Sequence, residues 1–183
     1  AHNNGLKVMF NYNFNLKNIT TDDLSKWISS FNDRFQLFKE NGGIDGFQAD
    51  LSQSGVLANN SNVLSLLSKL SKIINEQNVG SFLSIKMPSD IYPTEFLILC
   101  NNEGIKLVVD YDSPLVSTAI SNLKAENMII NISSNKNGFI SISQLSNIFE
   151  NNKVSILSLD LPILESIDSS EGFSFNGLSI TKF

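Results

Sequence analysis

The sequence predicts an α/β protein built on a parallel sheet, and three observations carry that prediction. Short apolar runs rich in Val, Ile, Leu and Phe alternate with longer stretches whose apolar residues recur at helical spacing. The alternation repeats about every 25–30 residues, the length of one strand-plus-helix unit. No low-complexity linker or break in composition interrupts it, so residues 1–183 read as a single domain. Strands separated by helices pair in parallel through right-handed crossovers.

Lys7 to Tyr12 is the first strand expected. Thr20-Thr21-Asp22-Asp23 supplies a helix start with acids in its first turn. Leu24, Trp27, Ile28, Phe31, Phe35 and Phe38 follow on one helical face, and Gly42-Gly43 ends the helix. A second strand spans Gly43 to Ser52. Val63, Leu66, Leu67, Leu70, Ile73 and Ile74 mark the next helix. Phe82 to Met87 is a third strand closed by Pro88, and Pro93 to Cys100 a short helix ending before Gly104. Ile105 to Tyr111 is a strand, Leu115 to Leu123 a helix, and Asn127 to Asn131 a strand. Ile142, Leu145, Ile148 and Phe149 suggest a further helix, and Val154 to Leu159 a sixth strand. The tail from Pro162 reads as loop with short strands around Phe173-Ser174-Phe175 and Leu178-Ser179-Ile180.

The bulk numbers exclude several classes. A chain that is 42% hydrophobic and 17% charged has an ordinary globular composition. A net charge of -5 with no block of Lys or Arg argues against nucleic acid and anionic membrane as partners. No apolar run approaches the roughly 20 residues of a membrane span. The polar opening Ala1-His2-Asn3-Asn4-Gly5 shows no signal peptide and reads as a cut end. The single cysteine, Cys100, follows Leu97-Ile98-Leu99 and is expected to be a buried thiol. Asn18, Asn59 and Asn131 each begin a glycosylation triplet, which leans toward an extracellular or cell-surface location.

The segment most informative about function is Gly43-Ile44-Asp45-Gly46-Phe47-Gln48-Ala49-Asp50-Leu51-Ser52. It resembles the catalytic strand of the family 18 glycoside hydrolases, the chitinase-like enzymes, whose motif runs Asp-Gly-apolar-Asp-apolar-Asp-x-Glu. Asp45, Gly46 and Asp50 are in register with it; Gln48 replaces the middle Asp, and Ser52 stands at the catalytic Glu. Val109-Asp110-Tyr111-Asp112 is similar to the family's Met-x-Tyr-Asp strand, and Val154 to Asp160 to its last barrel strand, with Leu157 in place of the Trp that floors the sugar pocket. Ser81 to Pro88 resembles the intervening Leu-x-x-Ala-x-Pro strand, with Lys86 at a position usually small, and Lys7 to Tyr12 the strand before the catalytic one.

The resemblance implies a parallel (β/α) barrel of the TIM type. It covers the third to eighth barrel strands, so about six clear strands are expected where the full barrel has eight and typically about 250 residues. The first two strand-helix units would be missing, shed to another chain or replaced, and an open or partner-completed sheet remains an alternative. Unpaired sheet edges would then invite self-association or completion by another chain.

Family 18 enzymes use substrate assistance: the sugar's N-acetyl carbonyl attacks the anomeric carbon while a Glu protonates the leaving oxygen. Such general acid catalysis contributes about 10²–10⁴-fold. Strand alternation puts residues 48, 50 and 52 on one face and Phe47, Ala49 and Leu51 on the other. A serine hydroxyl at position 52 cannot donate a proton near neutral pH as a tuned carboxyl does. The resemblance therefore implies a non-catalytic protein, without cofactor or metal, that acts as a structural, protein-interaction or glycan-binding module. Its degenerate pocket would hold Gln48, Asp50, Ser52, Tyr111, Asp112 and Leu157, and its ligand would be a chitin-type oligosaccharide or a protein partner. Alternatives are an active hydrolase on N-acetylglucosamine polymers and an unrelated α/β binding domain. Asp50, Asp110, Asp112 and Asp160 all fall near strand ends; hydrogen bonds to loops or pairing with Lys86 are weighed above a metal cluster or a new acid/base pair. Tyr12, Tyr92 and Tyr111 are expected near a ligand, and Trp27 and most of the thirteen phenylalanines in the core.

Overall fold

The computed structural model describes residues 9–13, 20–40, 45–51, 61–77, 82–87, 92–133, 147, 156–159 and 179–182. They form an α/β fold in which every pairing described is parallel. The chain divides into two compact units, Ala1–Leu107 and Val108–Phe183.

The first unit runs β1 (Met9–Asn13), α1 (Thr21–Glu40), β2 (Gly46–Asp50), α2 (Ser61–Gln77), β3 (Phe82–Lys86) and α3 (Thr94–Glu103), then enters β4 (Lys106–Asp110). Helix α1 starts where the sequence expects it. The Thr20 hydroxyl accepts the Asp23 N–H at 3.2 Å, and Asp23 Oδ2 accepts the Thr20 N–H at 3.2 Å. This reciprocal capping satisfies two donors that the first turn would otherwise leave without partners. The Thr20 hydroxyl, donating to the same Asp23 oxygen at 2.6 Å, and then the Thr20 N–H hold the Asp23 carboxyl below its usual pKa of 3.8.

Leu24, Phe31 and Phe35 are buried along α1, but Phe38 is 41% exposed, so the apolar face loses its cover near the helix end. On α2, Val63, Leu66, Leu67, Leu70 and Ile74 are buried as expected, and so is Ser71, which spacing alone does not assign to the core. The Ser71 hydroxyl donates to the Glu103 carbonyl at 2.8 Å, and Ser68 Oγ to Glu103 Oε1 at 3.2 Å. The first of these bonds meets a carbonyl that the end of α3 leaves without a helical donor. Gly104 closes α3 with φ 66°, a left-handed conformation that a side chain disfavours.

The registers are unshifted. Phe10, Asn11, Tyr12 and Asn13 lie opposite Phe47, Gln48, Ala49 and Asp50. Those four lie opposite Leu83, Ser84, Ile85 and Lys86. Gly46 to Ala49 are all buried, and Leu83 to Ile85 likewise, as in parallel sheets covered on both faces.

The second unit holds the end of β4, α4 (Val116–Asn122), a 3₁₀ turn at Ala125–Asn127, β5 (Met128–Ile132), β6 (Ile156–Leu159) and β7 (Ser179–Lys182). Ile129–Ile132 pair with Ile156–Leu159, and these with Ser179–Lys182. The described strands therefore number seven, where the sequence suggests about six clear ones and leaves the last in the tail. The helix expected around residues 142–149 and the strand at Phe173-Ser174-Phe175 lie outside the described residues, apart from the helical Asn147.

Candidate functional site

In the first unit, alternation along β2 sorts the two faces as the sequence implies. Phe47 faces α1, its ring 4.8 Å from that of Phe31 in an edge-on arrangement. Gln48 and Asp50 take the opposite face. The parallel registers extend that face into two polar rows. Asn11, Gln48 and Ser84 form one, and Asp50 and Lys86 the next, at the C-terminal ends of the strands.

Gln48 is buried, and Ser84 Oγ donates to its Oε1 over a long 3.5 Å. A buried side-chain amide needs partners, and the fully buried Ser84 supplies one. Asp50, at the last position of β2, is half-buried beside Lys86 on the same face. The Leu51 N–H donates to the Lys86 carbonyl at 2.7 Å, which fixes how the chain leaves β2. Ser52 lies outside the described residues. Within the described part of this face, the position two residues before Asp50 carries a neutral amide, that of Gln48. It therefore cannot share a proton with Asp50 as a second carboxyl would.

The second unit carries Tyr111, Asp112 and Leu157. Asp110 ends β4, and its Oδ1 accepts from Asn131 Nδ2 at 2.7 Å, a short bond to a carboxylate. The Tyr111 N–H donates to the Asn131 carbonyl at 2.8 Å, and the Ser113 N–H to the Asp110 carbonyl at 2.9 Å. Chain and side-chain bonds together turn the backbone, so Tyr111 and Asp112 project from an exposed corner. Leu157 is set in β6 between Ile130 and Ile180 by backbone register. Asp160 lies outside the described residues. No cluster of three or more His, Cys, Asp or Glu fit to hold a metal occurs among the described residues.

Tyr92 is buried, with its ring 6.3 Å from Phe96. Asn131, which begins one glycosylation triplet, is half-buried in β5 with its amide nitrogen bonded to Asp110; Asn18 and Asn59 lie outside the described residues. Cys100 is fully buried, and desolvation of its thiolate pushes the thiol up to about 12.

Sequence reasoning missed an aromatic cleft of about 190 Å³ between α1 and the β1–β2 pair, on the face opposite Gln48. The available signal was the period-2 pair Phe10 and Tyr12 in β1, which matches an aromatic stripe on α1 that continues to Phe38.

Compared with protein-family models and with curated proteins, the chain finds no match. No described helix is long and apolar enough to cross a membrane.

Proposed function

We propose that the chain is a non-catalytic binding module of chitinase-like type, with its strands arranged as in a (β/α) barrel of the TIM kind. The observation that supports this most is the polar strand-end face of β2. Asp50 occupies the position that orients an acetamido group in the family, while its former carboxylate partner is the buried Gln48 held by Ser84. Such a face offers amide and carboxylate hydrogen bonds to N-acetyl sugars or to a protein loop, and the sequence carries Gln48 and Ser52 where the family motif has acids. Loss of the pocket-floor Trp at Leu157 tilts the reading toward a protein partner, with an amino-sugar oligomer as the second ligand class.

The test combines an activity assay with calorimetry on N-acetylglucosamine oligomers. The expected result is no turnover by the native chain, and binding that Asp50→Ala abolishes if the ligand is a glycan. Installing both lost acids, Gln48→Asp with Ser52→Glu, is expected to generate measurable hydrolysis if the scaffold is of this type. Turnover by the native chain overturns the non-catalytic reading. Folded double variant without hydrolysis, together with no oligosaccharide binding, favours an unrelated α/β binding domain instead.

A further inference from the structure

We propose that the aromatic cleft between α1 and the β1–β2 pair is a binding site for a small planar aromatic anion, a carboxylate joined to one or two rings. This site lies on the opposite face of the strands from Gln48 and Asp50, so it does not rest on the reading above.

Three observations define the ligand. The first is shape. Phe10, Tyr12, Trp27, Phe31, Arg34 and Phe38 line the cleft, and its rings already pack face to face and edge to face. Trp27 stacks on Phe31 at 5.3 Å and 17°, Tyr12 tilts against Trp27 at 5.8 Å, and Phe10 meets Phe38 at 5.4 Å. A planar ring continues this array at the same spacings, and aromatic pairs at such distances add to simple area burial.

The second is size. The volume of 190 Å³ slightly exceeds the roughly 150 Å³ apolar cavity known to admit benzene, so one ring fits wholly and a second reaches the mouth. Phe10, Tyr12 and Phe38 are each more than a third exposed, so the mouth is open to solvent and large apolar area remains to be covered.

The third is charge. Among the described residues Arg34 is the one cation in the lining; it is exposed and has no hydrogen-bond or ion-pair partner there. A guanidinium at the rim of an apolar cleft pairs with a carboxylate through two parallel bonds and rejects cationic rings. The Ser30 hydroxyl beside it in the lining adds a donor of the right kind.

The chain has one tryptophan, and it stands in this cleft, so Trp27 emission reports directly on occupancy. Cinnamate is the probe and cinnamamide its neutral counterpart, of nearly the same shape. Cinnamate is expected to change Trp27 emission saturably, and to bind about tenfold more tightly than cinnamamide, the lower end for a charge-assisted bond at an exposed site. Arg34→Gln, an exposed change on a helix that keeps good helix propensity, is expected to erase that difference and leave cinnamamide binding as it was. Ser30→Trp, read by calorimetry because it carries a second tryptophan, is expected to block both ligands while circular dichroism shows an unchanged fold. Equal affinity for the two probes, an undiminished preference in Arg34→Gln, or no saturable change overturns the proposal. So does concentration-dependent dimerisation that Ser30→Trp abolishes and cinnamate leaves unaffected, because the cleft would then be a contact between copies.

Discussion

The two faces of the β1–β2 pair differ in how their residues are used. On one, Phe10 and Phe47 stack at 5.8 Å and 18°, and Phe47 meets Phe31 of α1 edge-on. On the other, Asn11, Gln48 and Ser84 align by register, and only the buried pair is tied by a hydrogen bond. The aromatic face gains from area removed from water, roughly 25 cal/mol per Å², without directional demands. The polar face gains little net energy, yet it loses heavily if one partner is removed and the other stays buried. One strand therefore carries a tolerant surface and an exacting one on alternate residues.

Truncation is the strongest way to break that contrast. Phe47→Ala, at a ring almost wholly removed from water, is expected to cost about 3–5 kcal/mol in denaturant unfolding. Phe38→Ala, only partly covered on the same side, is expected to cost under about 1 kcal/mol. Similar losses for the two would mean that exposure does not grade the aromatic face.

Alkaline pH has a separate large effect. Cys100 titrates at about 12 in the fold against 9.0 unperturbed, so the stability from burying its neutral thiol is complete below pH 9.0. That contribution is lost as pH rises from there through about 12. A thiol-specific disulfide reagent at pH 8 is expected to react only on unfolding, and fast labelling of the native chain would refute the burial.

Next comes the polar side. Ser84→Ala strands a buried amide oxygen and is expected to cost about 1 kcal/mol, the low end of the range because the native bond is long. Adding Gln48→Met is expected to restore part of that loss, so a double-mutant cycle with no coupling would show that the pair does not interact. In the second unit, Asn131→Ala is expected to cost about 1.5 kcal/mol by removing the bond to the Asp110 carboxylate.

The smallest effect is at the start of α1. Because Asp23 titrates below 3.8 when folded, its capping contribution is complete above that value and is lost as pH falls through the lower folded pKa. Asp23→Asn is expected to flatten the acid limb of α1 helicity by circular dichroism.

Much of the fold is legible in the sequence. Thr20 and Asp23 announced the start of α1, the apolar spacing of α2 named its buried face, and the alternation around Gln48 set its two sides. The site was less legible. Ser84 as the partner of Gln48, and Asn131 as the partner of Asp110, sit 36 and 21 residues away, with no local pattern to mark them. Tyr92 is buried beside the Phe96 ring, which its place in the sequence does not mark.

Local chemistry alone determined the element types, the capping of α1 and the sorting of β2, since backbone period and short-range hydrogen bonds depend only on neighbours along the chain. Only the tertiary structure decided that Phe10, Tyr12 and Phe38 line an open cleft with Arg34, and that Gln48 is held by Ser84. Those outcomes depend on which surface arrives opposite each residue, and sequence period fixes a side chain's direction without fixing what it meets.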